Sequence, residues 1–154
     1  MAEEVRTEIE IDASAERVWD VVMDPLRLGE WVSAHRDVEW EGGDLAEGDS
    51  FKQTLRLGGM DTGIEWTVVE LERPRRAVWK GAGPARSTAH VVYELRERDG
   101  GTIFDYVNSF DLPGGALGRL AGRVAGAAKG RKEAKRSLEA LKRLIESDVA
   151  PASG

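Results

Sequence analysis

From Arg36 to Leu112 the chain is a succession of six short segments in which apolar and polar residues alternate, each cut from the next by a turn-forming cluster. The segments are RDVEWEG, SFKQTLRLGG, TGIEWTVVELE, RAVWKGAG, STAHVVYELRE and GTIFDYVNSFDL, punctuated by Gly42-Gly43, Gly58-Gly59, Arg73-Pro74, Gly83-Pro84 and Gly100-Gly101. Parallel neighbours need a crossover of about a dozen residues or more, which these gaps do not supply, so the strands must pair as antiparallel hairpins. A seventh strand precedes them: in VRTEIEI, Val5, Thr7, Ile9 and Ile11 share one face.

Helical patterns bracket the last six strands. In ASAERVWDVVMDP, Ser14 is a natural N-cap, Val18, Trp19, Val21 and Val22 form the apolar side, and Pro25 stops the helix. Leu26, Leu28 and Trp31 then predict a short second helical turn. The final segment, from about Gly115 to Ser147, predicts one long helix with Ala134, Leu138, Leu141 and Ile145 on one face. An α+β fold follows, in which a curved antiparallel sheet of about seven strands wraps the last helix, because the sheet's inner face and the helix's apolar stripe must each be covered. With 154 residues, 41% of them apolar, the chain is expected to form a single domain with its core over about 5–147 and loose tails at 1–4 and 148–154.

At this point the chain resembles the START/polyketide cyclase superfamily of helix-grip proteins (SRPBCC), also called the polyketide cyclase/dehydrase and lipid-transport superfamily. The likeness rests on IEIDASAERVWDVVMDPLRLGEWV, VVELERPRRAVWKG and GGTIFDYVNSFDLPGG, and it covers about residues 5–147. The resemblance implies a deep, mainly apolar cavity between sheet and long helix, used in that superfamily for lipids, polyketides, hormones and other hydrophobic molecules. These stretches hold core and turn residues rather than a catalytic motif, so the likeness speaks to fold more than to activity.

Candidate ligand-binding residues come from phase and chemistry together. Trp31 ends the second helical turn, where this fold opens its cavity, and Trp66, Trp79, Tyr93 and Tyr106 lie on strands whose inner face should form the wall; each ring brings a polar tip that can orient a ligand. Gln53 is in phase with Phe51 and Leu55, and Asn108 with Tyr106 and Phe110, so both are expected to point inward, to a ligand, a neighbour or a buried water. His35 is read as a surface residue in a polar connection, and His90 as facing opposite to Val91 and Tyr93. Arg56, His90, Asp105 and Tyr106 could supply an acid or base, yet nothing sets them apart from ordinary strand residues, so no catalytic set is named. No metal-ligand spacing, phosphate-cradling loop or nucleophile elbow occurs, and neither metal nor cofactor is expected.

The long helix carries its own breakers: Gly118, Gly122, Gly126 and Gly130 recur at every fourth position in GRLAGRVAGAAKG. Four glycines in place of alanines lower helix stability by about 3–4 kcal/mol, so this half should be soft and bent. We expect it to act as a gate over the cavity, with Leu120 and Val124 touching the ligand; the competing reading is close packing against a loop or a second subunit.

The formal charge of −6 argues against nucleic-acid binding but hides an asymmetry: residues 1–113 hold 13 Lys/Arg against 24 Asp/Glu, whereas residues 114–154 hold nine against four. The basic last segment either pairs with the acidic body or offers a face to an anionic membrane or an acidic partner. With no cysteine, no signal-like leader and no apolar run long enough to span a bilayer, the expected address is cytoplasmic. Three functions fit: binding or carriage of a small hydrophobic ligand, a cyclase or aromatase using the same cavity, or a protein-interaction module. Oligomeric state does not follow from the sequence.

Overall fold

The computed structural model describes residues 3–57, 59–111 and 127–152. Seven strands follow in chain order: β1 (Glu3–Ile11), β2 (His35–Glu39), β3 (Ser50–Leu57), β4 (Met60–Glu72), β5 (Arg76–Ala82), β6 (Thr88–Arg98) and β7 (Gly101–Asp111). They form one sheet in the order β1-β7-β6-β5-β4-β3-β2, antiparallel throughout. Hairpins therefore join β2 to β7 in sequence, and β1 returns to pair with the last strand. Helix α1 (Ala15–Val22) and a 3-10 helix (Pro25–Glu30) carry the chain from one sheet edge to the other.

Local chemistry sets these elements. The Ser14 hydroxyl accepts the Arg17 N–H at 3.3 Å and starts α1, and Asp24 Oδ1 accepts the Leu26 N–H at 3.0 Å at the head of the 3-10 helix, where Pro25 has no N–H to satisfy. Register shifts at Val68/Glu70 and His35/Asp37 break the ladder on β4 and β2 and add local twist to the sheet. Alternation then sends Phe51, Gln53 and Leu55, Ile64, Trp66 and Val68, Ala77 and Trp79, and Val91, Tyr93 and Leu95 into the core.

Helix α2 (Ala127–Ala152) packs against β1 and buries Ala134, Leu138, Leu141 and Ile145. Polar ties flank that stripe. In the first half of the helix, Ser137 Oγ accepts the Ser33 N–H at 3.0 Å; in the second, Lys142 Nζ donates to the Glu10 carbonyl at 2.8 Å and Glu146 Oε2 accepts the Asp12 N–H at 2.9 Å. The lysine beside it, then the Asp12 amide, hold the Glu146 carboxyl below its ordinary pKa. The helix continues to Ala152, past the end expected at Ser147, and β1 begins at Glu3. Gly118, Gly122 and Gly126, on which the expectation of a soft gate rests, lie outside the described residues.

Candidate functional site

Between the inner face of the sheet, α1 and the 3-10 helix lies a cavity with about 70 Å³ of space open to water-sized molecules. At the ~10–15 Å³ that one water needs, this is room for roughly five. The sheet contributes Phe51, Gln53 and Leu55 from β3, Trp66 from β4, Trp79 from β5, Val91 and Tyr93 from β6, and Tyr106 and Asn108 from β7. Val22, Met23, Pro25, Leu28, Trp31 and Val32 close it from the helical side. Every predicted site residue that the structure describes thus lines one cavity: Trp31, Gln53, Leu55, Trp66, Trp79, Tyr93, Tyr106 and Asn108. Leu120 and Val124 lie outside the described residues.

Aromatic rings interlock around Tyr93. Its centroid stands 5.1 Å from Phe104, 5.8 Å from Tyr106, 6.1 Å from Trp79 and 6.3 Å from Trp31, while Phe51 meets Trp79 edge to face at 5.5 Å. Tilted and edge-to-face contacts suit the ring quadrupoles and hold each ring in one orientation. They also fill space. The resemblance implies a deep cavity, and these rings form much of the wall of the one that the described residues enclose.

The polar groups of the wall divide into paired and unpaired. Trp66 Nε1 donates to Gln53 Oε1 at 2.9 Å, which turns the amide nitrogen of Gln53 toward His35 Nδ1 at 3.0 Å. An indole N–H can only donate, so the Gln53 oxygen is fixed as acceptor; its NH2 must then donate, and His35 Nδ1 must accept, leaving the imidazole proton on Nε2. Gly29 makes room for that ring, since a Cβ there would stand 3.1 Å from His35 Cδ2. The expectation of a surface residue in a connection is therefore corrected: His35 opens β2, is half-buried, and is hydrogen-bonded to the cavity wall. Burial pulls its pKa below the ordinary 6.5, against the opposing pull of Asp37.

On the β7 side, Asn108 Nδ2 donates to the Tyr106 hydroxyl at 3.0 Å, but Asn108 Oδ1 is buried without a partner. The indole N–H groups of Trp31 and Trp79 are buried and unpartnered as well. Each such atom costs about 1–3 kcal/mol relative to a satisfied one. Burial raises the Tyr93 phenol well above its ordinary pKa, with Tyr106 adding to the effect, and pushes Tyr106 up to about 12 in spite of the Asn108 hydrogen bond. Both phenols therefore stay neutral near pH 7 and serve as hydrogen-bonding groups.

Apart from Trp31, sequence reasoning passed over the helical side of the wall. Met23, Leu28 and Val32 carry no polar tip, and which side of a short 3-10 turn meets the sheet is decided only on packing. Among the described residues no group of three or more His, Asp or Glu side chains is placed to hold a metal ion, and no helix is long and apolar enough to cross a membrane.

A family model described as Polyketide cyclase / dehydrase and lipid transport matches residues 2–146. The uncharacterized protein Rv1546 of Mycobacterium tuberculosis is 29% identical over 131 residues, which cover 84% of this chain and 90% of that one. Among solved structures, TTHA0849 from Thermus thermophilus superposes with a TM-score of 0.80 at 16% identity, covering 95% of this chain and 99% of its own. Protein CV1439 from Chromobacterium violaceum gives 0.72 at 18% identity, covering 93% and 97%. Likeness at this identity establishes the shared helix-grip fold alone.

Proposed function

Since the chain belongs to the polyketide cyclase / dehydrase and lipid transport family, we propose that it binds a small hydrophobic ligand in the cavity between the sheet and the helices. The observation that carries this reading is a mostly apolar cavity walled by the rings of Trp31, Trp66, Trp79, Tyr93 and Tyr106, with Gln53 and Asn108 as its polar residues. Binding is favoured over turnover because no side chain among the described lining residues is charged.

Native mass spectrometry of gently purified protein, followed by denaturing extraction, tests this reading. The expected result is an adduct of about one molecule per chain that unfolding releases. A clean polypeptide mass, together with tryptophan emission unmoved by a panel of neutral hydrophobic compounds, would count against it.

A second observation favours an accompanying surface contact. Lys132, Lys135, Arg136 and Arg143 are exposed on the side of α2 away from its buried stripe, with the exposed Glu139 among them and Arg131 on the flank, and among the described residues none of these cations makes an ion pair. This stripe suits an anionic lipid surface. Sedimentation with phosphatidylserine-containing vesicles at low salt, abolished at about 0.5 M salt where the Debye length falls to a few ångströms, is the expected outcome. Equal sedimentation with neutral vesicles would contradict it.

A further inference from the structure

His35, Gln53 and Trp66 form a chain of hydrogen bonds in which each direction is fixed. Trp66 Nε1 donates to Gln53 Oε1 at 2.9 Å, and the Gln53 amide nitrogen lies 3.0 Å from His35 Nδ1. The chain is complete only while Nδ1 carries no proton, because an imidazolium donates from both nitrogens and would set an N–H against the Gln53 NH2. No rotation repairs this. Turning the Gln53 amide over brings its NH2 onto the Trp66 N–H, and turning the imidazole over presents Cδ2 to Gln53. The backbone at Gly29 is so close that a Cβ there would stand 3.1 Å from Cδ2, so the ring has no room to withdraw toward the 3-10 helix.

What yields is decided by how each partner is anchored. Gln53 and Trp66 are buried on β3 and β4, each of which is paired on both sides. His35 opens β2, a strand of five residues at the end of the sheet, paired with β3 alone through a ladder that shifts register between His35 and Asp37. A short, irregular edge strand is the element that parts at least cost. Among the described charged groups around the ring, Asp37 on β2 pulls toward the cation and burial outweighs it. The others are engaged elsewhere: Arg36 and Arg56 share Asp61 at 3.9 and 3.2 Å, Arg27 on the 3-10 helix holds Glu30, and Glu133 of α2 accepts from Ser33 Oγ.

We propose that His35 is a proton-operated latch on the β2 edge. Neutral, it fastens β2 to the cavity wall through Gln53; protonated, it releases β2 and leaves Gln53 and Leu55, which line the cavity, without their partner strand. The latch needs no ligand, so it stands or falls apart from the reading above.

Nuclear magnetic resonance on the full chain tests it. At pH 7.5 the imidazole proton should sit on Nε2. Between pH 7.5 and pH 5 the Trp66 indole N–H signal, assigned with Trp66→Phe, should move with the His35 midpoint. Over the same range, hydrogen-exchange protection of the β2 amides should fall at least about threefold; with the ordinary pKa of 6.5 for a released histidine, linkage caps the fall at about thirtyfold. His35→Gln, neutral at every pH, should hold β2 protection constant within about twofold. Gln53→Glu, whose carboxylate accepts from indole and imidazolium alike, should raise the His35 pKa above 6.5 and keep β2 protected at pH 5.

A proton on Nδ1 at pH 7.5, or β2 protection that ignores pH, would overturn the latch. So would β2 protection equal to that of β6 and β7 at pH 5, since the strand would then part only when the whole fold does. A folded Gln53→Glu that loses β2 protection as wild type does would also overturn it; if that variant does not fold, the wild-type and His35→Gln titrations decide.

Discussion

Gln53 is held by two hydrogen bonds that only an amide can make at once, accepting from the Trp66 indole and donating to His35 Nδ1. Replacing it with Leu keeps most of the volume but leaves the Trp66 N–H buried without an acceptor. Urea denaturation of Gln53→Leu should show a loss of about 1–3 kcal/mol, and an unchanged midpoint would contradict the assignment. His35 makes the pair pH-sensitive. Its folded pKa lies below the ordinary 6.5 because burial disfavours the cation. Between the two values the unfolded chain binds more protons than the folded one, so this contribution is complete above about pH 6.5 and is lost as pH falls through the lowered value. The stability advantage of wild type over His35→Gln should therefore shrink from pH 7.5 to pH 5; a constant difference would remove His35 from the account. Sequence phase alone places Gln53 inward. It could not place His35, because that contact depends on the β2–β3 register, where His35 pairs with Leu55 across an irregular ladder.

Among the elements, the β4–β5 pair shows how a missing side chain shapes the wall. Gly81 faces Trp66 directly across the ladder, and a Cβ at Gly81 would come within 2.8 Å of both the Trp66 ring and Ile64. The glycine thus gives Trp66 the room from which its indole reaches Gln53. Gly81→Ala should destabilise by about 1–3 kcal/mol and alter the Trp66 emission; a neutral result would mean that the ring has another seat. In α2, Leu141 is wholly buried between helix and sheet, and Leu141→Ala should cost about 2–5 kcal/mol by equilibrium denaturation. Both strands and this half of the helix are legible in the sequence, since period-two and period-3.6 patterns are set by which face is wet. The role of Gly81 is not, because a glycine in a strand pattern carries no sign of the ring lying opposite.

For the whole molecule, short spacings between strands fix the antiparallel meander, and the long apolar stripe of α2 fixes what the sheet must cover. The size of the space between them is a small remainder after large packed volumes, and no pattern of residue types encodes it. Five tryptophans are therefore equally consistent with an open, aromatic-lined pocket and with a nearly filled one; in the structure Trp31, Trp66 and Trp79 line the cavity. A ligand that occupies the remainder acts on the whole fold by mass action. At about 100 times its Kd it should add about 2.7 kcal/mol and raise the unfolding midpoint by roughly 5–10 °C, measured by calorimetry. The most direct test of the central claim is a high-resolution crystal structure of the protein purified without chromatographic stripping. The account predicts connected, organic-shaped density in the cavity, packed against the Trp31 and Trp79 rings. A cavity holding only separate waters would contradict it.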